Sequence, residues 1–156
     1  MAIILTTTIN GVCREITVAA NQTLLEFLRD DLKLKGAVEG CSVGVCGSCT
    51  VLLDGKPLSS CLTLASNVEG KSVTTIEGLS QNGELDPVQQ AFLKHQAFQC
   101  GFCTTGMIMA VKGLLAVHPQ PSEQQARDYL SGNLCRCGTY KEVLAAIKEL
   151  SETNNL

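Results

Sequence analysis

The stretch Gly40-Cys41-Ser42-Val43-Gly44-Val45-Cys46-Gly47-Ser48-Cys49 packs three cysteines and three glycines into ten residues. Glycine gives up more backbone freedom on folding than any other residue, so a loop this bare needs something else to hold its shape. The whole chain of 156 residues carries nine cysteines, and eight of them fall into two sets of four, one in each half. In the first set, Cys41, Cys46 and Cys49 are followed by Cys61 after a gap of eleven residues. The second set is Cys100 and Cys103 with Cys135 and Cys137. A secreted disulfide scaffold fits poorly, because the count is odd and the start, MAIILTTTINGVC, reads as neither a secretion signal nor a membrane anchor. The close spacings are those of ligand clusters.

The first set has the spacing C-x4-C-x2-C, which matches plant-type [2Fe–2S] ligation. That chemistry explains the glycines. Four thiolates make the core anionic, and backbone N–H groups turned toward its sulfurs stabilise it. Side chains would block the approach, so Gly40, Gly44 and Gly47 are the expected points of contact. In the second set, each short cysteine pair directly precedes a predicted helix, at Thr105 and at Tyr140. Two helix N-termini would face one anionic site and favour adding an electron to it. Zinc also binds two short cysteine pairs. C-x-C is an unusual zinc half-site, so spacing favours iron–sulfur here while leaving zinc open.

Net charge is −3, with no run of Lys and Arg, which argues against nucleic acid or an anionic membrane as partner. No apolar segment has the length of a spanning helix, so no direct membrane insertion is expected. Aromatic residues are only 4% and Trp is absent, so two small cores would be aliphatic and thin.

Hydrophobic period divides the chain in two. Residues 1–76 read as a small α+β domain. Ala2 to Asn10 and Cys13 to Val18 are strands joined at Asn10-Gly11, and a capping box at Thr23 opens a helix running to about Leu32. Cys49 to Leu53 is a strand turned at Asp54-Gly55, and Lys71 to Ile76 is another. Residues 77–85 form a linker. Residues 86–156 read as a bundle of four helices: Asp86 to His95, Thr105 to Val117, one from Ser122 to Gly132, and one opening at Thr139, with Ser151 to Leu156 fraying. Cys13 reads as a small buried hydrophobe, Met107 and Met109 as core, and His95 and His118 as residues of helix ends. No Ser/His/Asp set, carboxylate pair or phosphate loop is present, so no catalytic residue is assigned and the chain reads as an electron carrier.

The segments EGCSVGVCGSCTVLLDG, QCGFCTTGMIM and LSGNLCRCGTY together resemble the signatures of the small iron–sulfur subunit of molybdenum hydroxylases, the xanthine dehydrogenase and aldehyde oxidase family. The resemblance runs over nearly the whole chain. It implies a β-grasp ferredoxin-like domain followed by a four-helix [2Fe–2S] domain. It implies two [2Fe–2S] clusters, the first on Cys41, Cys46, Cys49 and Cys61 and the second on Cys100, Cys103, Cys135 and Cys137. The second would lie beside the molybdopterin cofactor of a separate large subunit, with Gln99 and Cys137 nearest the pterin. The implied activity is electron transfer during oxidation of a heteroaromatic compound or aldehyde, with water as oxygen source. Electrons would leave one at a time to a flavin subunit, a cytochrome or another acceptor. The order Gly138-Thr139 resembles members that use cytochromes without a flavin subunit. Ser48 stands where Ala is common, and Thr104 is expected to cap the helix after Cys103. The expected compartment is the cytoplasm, or the periplasm if the large partner is exported folded. A free-standing two-cluster ferredoxin is the competing reading.

Overall fold

The computed structural model describes residues 2–153. Asn10 and Gly11 both take positive φ, 50° and 80°, which is the backbone of a type I′ turn. They join β1 (Ala2–Ile9) to β2 (Val12–Ala19) in antiparallel register, with Thr8 opposite Cys13. Asp54 and Gly55 repeat the device between β3 (Thr50–Leu53) and β4 (Lys56–Ser59), at φ of 49° and 79°. β5 (Ser72–Thr74) lies between the hairpins, parallel to β1 and antiparallel to β3. The sheet order is therefore β2-β1-β5-β3-β4, the β-grasp arrangement.

The Thr23 capping box forms as expected and opens α1 (Leu24–Glu26). The chain then widens into a π-turn over Phe27–Asp31 in place of the expected continuous α-helix. Leu24, Leu25, Phe27 and Leu28 from this segment bury against Leu5, Ile16, Val18, Val51 and Val73 of the sheet, forming the first core. Residues 77–85, expected as a linker, are structured: a 3₁₀ turn spans Ile76–Gly78, Leu79 joins the helical core, and Gln81 bridges to Glu84.

The second half holds α2 (Pro87–Lys94), α3 (Thr104–Val117), α4 (Glu123–Tyr129) with a 3₁₀ turn at Leu130–Gly132, and α5 (Tyr140–Thr153). α3 is the central element, with nine of its fourteen residues buried, Met107 and Met109 among them. His95 and His118 occupy the C-caps of α2 and α3, as expected of helix-end residues. The helical core also takes in Leu52 of β3, while its neighbour Val51 points into the first core. Successive strand residues face opposite sides, so β3 serves both cores and α3 covers the outer face of the sheet. No helix among the described residues is long and apolar enough to cross a membrane.

Three expectations need correction. Cys13 is exposed, not buried. Ile16 and Val18 set the inward face of β2, so the odd-numbered residue at 13 points outward from an edge strand. Thr104 does not cap α3: Cys103 is the N-cap residue, without a side-chain bond. Ser151 to Thr153 continue α5 instead of fraying, and the rest of that expectation, 154–156, lies outside the described residues.

Candidate metal centres

The glycine loop wraps around the Cys41 sulfur. Ser42, Gly44 and Gly47 take positive φ of 55°, 74° and 70°, which turns successive N–H groups toward the inside of the loop. The N–H groups of Val45 and Cys46 donate to Cys41 Sγ at 3.3 and 3.4 Å. The Val43 N–H above all, followed by those of Cys46 and Val45, holds the Cys41 thiol down at about 6. Gly40 supplies space: a Cβ there would stand 2.8 Å from Cys46 Sγ.

Cys49 and Cys61 form the buried side of the same site. Ser60 Oγ donates to the Cys49 carbonyl at 2.8 Å, tying the 3₁₀ turn at Ser60–Leu62 to the end of the loop. Burial, reinforced by the neighbouring Cys49 thiol, pushes Cys61 up to about 11. The Cys46 N–H bond to Cys41 Sγ joins those two cysteines, and the Ser60 bonds to the Cys49 carbonyl bring Cys61 beside Cys49. Val43, Val45 and Leu62 stand exposed around the loop.

The second set comes together from two distant segments. α3 starts directly after Cys103 and α5 starts three residues after Cys137, so both pairs sit at N-terminal helix ends as expected. All four thiols are near one another: Cys137 and Cys135 act on Cys100, and Cys135 and Cys100 act on Cys103. The Phe102 N–H and the Cys137 thiol lower Cys100. Burial and the adjacent Cys135 push Cys103 up to about 12. Burial also raises Cys135, but the Thr139 hydroxyl, 3.2 Å from its sulfur, and the N–H groups of Thr139 and Gly138 outweigh it and hold that thiol at about 7. Gln99 is exposed beside Cys100.

Among the described residues, no three His, Cys, Asp or Glu side chains converge as a single ion requires. The four cysteines of each set are the number of protein ligands that a two-iron core takes. A second observation fits the same chemistry. The hydroxyls of Thr104 and Thr105, next to Cys103, are buried without a partner in the chain. A buried unpaired hydroxyl costs about 1–3 kcal/mol, and an anionic sulfur core is an acceptor that would satisfy it. The residues present therefore fit a [2Fe–2S] group at each site.

Asn133 joins the two sites; it stands inside the segment LSGNLCRCGTY, but the sequence alone assigns it no role. A lone polar residue between a helix-ending glycine and a cysteine carries no periodic signal, and only its burial marks it. Its neighbour Leu134 donates its N–H to the Cys46 carbonyl at 2.9 Å, a direct link between the loops of the two sites.

Two family models divide the chain between them. A "2Fe-2S iron-sulfur cluster binding domain" matches residues 7–76, and a "[2Fe-2S] binding domain" matches residues 75–148. The chain is 48% identical to the nicotine 6-hydroxylase small subunit of Paenarthrobacter nicotinovorans, over 89% of this chain and 84% of that one. It is 41% identical to the nicotinate dehydrogenase small FeS subunit of Eubacterium barkeri, over 90% of this chain and 89% of that one. Among solved structures, quinoline 2-oxidoreductase from Pseudomonas putida 86 contains a chain that superposes with a TM-score of 0.90 at 42% identity, covering 99% of both.

Proposed function

Because the chain belongs to the family of small [2Fe–2S] iron–sulfur subunits of molybdenum hydroxylases, we propose that it relays electrons from a molybdopterin-bearing large subunit to an outside acceptor. It is thus an oxidoreductase subunit that carries two [2Fe–2S] domains and leaves substrate binding to its partner. The observation that carries the reading is the division of eight cysteines into two sets of four, one within each matched [2Fe–2S] domain.

In this reading Cys41, Cys46, Cys49 and Cys61 hold one cluster, and Cys100, Cys103, Cys135 and Cys137 hold the other. Each cluster, when bound, accepts and releases one electron. The chain's own residues do the rest. N–H groups of the glycine loop and of the two helix starts stabilise the negative charge that reduction adds. Cys61 and Cys103 anchor each core on its buried side, and burial raises the cost of that charge, so the balance of donors and burial sets the potential.

The second site faces the large subunit. Phe98, Phe102 and Leu134 are exposed close to its cysteines, and apolar groups gathered at a polar rim mark a docking surface. Gln99 and Cys137 are the residues assigned to the pterin edge. The same surface favours a docked subunit over a free carrier ferredoxin, which would leave it in water. The substrate is a nitrogen heteroaromatic compound, as the names of the nicotine, nicotinate and quinoline enzymes suggest, with aldehydes as the alternative class. The first site, rimmed by Val43, Val45 and Leu62, faces the acceptor, a flavin subunit or a cytochrome. The work is assigned to the cytoplasm.

The test is metal analysis of the chain purified gently from its host with whatever stays bound. Two clusters predict about four iron atoms per chain, with molybdenum. Iron without molybdenum on a lone chain would favour the free ferredoxin, and zinc would sink the redox reading.

A further inference from the structure

The side chain of Asn133 is buried where three segments meet. Its Nδ2 lies 3.1 Å from the Gly47 carbonyl, 3.4 Å from Thr50 Oγ1 and 3.3 Å from the Gly106 carbonyl. Two of these partners are carbonyls, which only accept, so the amide presents its N–H₂ group to them. Gly47 lies between Cys46 and Cys49, and Gly106 is three residues beyond Cys103. Asn133 itself is two residues before Cys135. One amide therefore ties the loop of the first site to both halves of the second.

The junction is close-packed on every side. The Gly47 carbonyl also accepts from Thr50 Oγ1 at 2.7 Å and from the Thr50 N–H at 3.2 Å. A Cβ on Gly47 would stand 2.5 Å from Asn133 Nδ2, and a Cβ on Gly106 would collide with the Gly47 carbonyl. Behind Asn133, the Tyr140 hydroxyl accepts from the Cys135 N–H at 2.9 Å and donates to the Asn133 carbonyl at 3.1 Å. The Asn133 backbone is thus pinned behind the site while its side chain bonds forward to Gly47, Thr50 and Gly106.

We propose that Asn133 is a positioning residue that fixes the separation, and hence the electronic coupling, of the two clusters. The proposal rests on the two-cluster reading above. A residue serving only the helical fold would bond within the bundle. Asn133 instead divides its N–H₂ group between the Gly106 carbonyl inside the bundle and the Gly47 carbonyl and Thr50 hydroxyl across the boundary between the halves, next to cluster ligands on both sides. Replacing it removes the one side chain that holds Gly47, Thr50 and Gly106 together. The Leu134 N–H bond to the Cys46 carbonyl is then left as the direct link between the loops, so their separation is less tightly fixed.

The experiment compares wild type, Asn133→Ala and Tyr140→Phe, each as the complex with its large partner. It reads iron content and the electron paramagnetic resonance spectrum of the fully reduced protein. Wild type first tests the underlying reading, which requires two distinct signals, split by magnetic interaction between neighbouring reduced clusters. Without two signals the two-cluster reading fails, and the proposal with it. With them, Asn133→Ala is expected to keep both signals and lose or markedly reduce the splitting. Tyr140→Phe, which removes the hydroxyl bonded to the Asn133 carbonyl and the Cys135 N–H but leaves the Asn133 side-chain bonds, is expected to shift one signal and to reduce the splitting less than Asn133→Ala does. If Asn133→Ala fails to assemble, Asn133→Ser retains a shorter donor and is expected to assemble with reduced splitting. Unchanged splitting in an assembled Asn133 variant overturns the proposal.

Discussion

The two cysteine sites reach the same electrostatic arrangement from opposite kinds of structure. The first is local: one loop between Gly40 and Cys49 provides three of four sulfurs, and positive-φ residues within that loop aim its own N–H groups at Cys41. The second is non-local, built from two short segments that meet only because α3 and α5 pack in one bundle. Yet each site has a thiol held low by nearby donors: Cys41 at about 6 in the first, and Cys135 at about 7, with Cys100 also lowered, in the second. Each also has one pushed high by burial, Cys61 to about 11 and Cys103 to about 12. The shared pattern follows from the chemistry: an anionic core needs donors on one side and protection from water on the other. What differs is what each site depends on. The first depends on backbone conformation, and the second depends on the helical core.

The largest effect separates the sites outright. Cys100→Ser is expected to remove one of two reduced-state resonance signals and about half of roughly four iron atoms per chain. Cys46→Ser is expected to remove the other signal. If either variant abolishes both signals, the sites do not assemble independently; if Cys100→Ser leaves both unchanged, the second ligand set is wrong.

Next come the two cores. Leu114 and Leu28 are both fully buried, one in each core. Each Leu→Ala change is expected to cost about 3 kcal/mol in stability, within the range known for such cavities. On heating, Leu114→Ala should release the second cluster earlier than wild type does, and Leu28→Ala the first. Following the two signals with temperature distinguishes the cases. Loss of the first signal ahead of the second in Leu114→Ala would contradict the dependence of each site on its own core. Simultaneous loss in both variants would show that β3, which contributes Val51 to one core and Leu52 to the other, fuses the halves into one cooperative unit.

A smaller effect compares helix starts. Asp86 Oδ1 accepts from the Val88 N–H at 2.9 Å, and its other oxygen accepts from Lys112 Nζ at 2.7 Å, which braces α2 against α3. Thr23 caps α1 through the Glu26 N–H at 3.1 Å, with no such second partner on another helix. Thr23→Ala is expected to cost about 1 kcal/mol and Asp86→Ala somewhat more, read as midpoint shifts in denaturant at constant slope. A larger loss at Thr23 would mean that the π-turn following α1 depends on its start more than the bundle depends on Asp86.

The same contrast explains what the sequence discloses. The turns at Asn10-Gly11 and Asp54-Gly55, the capping boxes at Thr23 and Ser122, and the glycine loop are all local, and each is readable from a few adjacent residues. The second site is readable by spacing only as two half-sites, because no local rule says which helices pack together; resemblance supplies the rest. The π-turn at Phe27–Asp31 and the burial of Asn133 are tertiary effects without a local signal. The double-sided burial of β3 does have one. Val51, Leu52 and Leu53 form a continuous apolar run, the pattern of a strand covered on both faces, and α3 is that second cover.

Cys13 should produce the smallest effect, and it checks the count on which both sites rest. Cysteine is among the most buried residue types, which favours an inward Cys13, but alternation on β2 places Ile16 and Val18 inside and residue 13 outside. An exposed thiol on an edge strand, far along the sheet from β3 and β4, has no role in either site. Cys13→Ala is therefore expected to keep iron content, both resonance signals and stability within about 0.5 kcal/mol of wild type. Its reaction with a thiol reagent in the folded, cluster-loaded protein should account for one readily labelled cysteine that the variant lacks. Loss of iron in Cys13→Ala would show that Cys13 is a ligand and that another cysteine is the odd one. One of the two sets of four would then have to be redrawn.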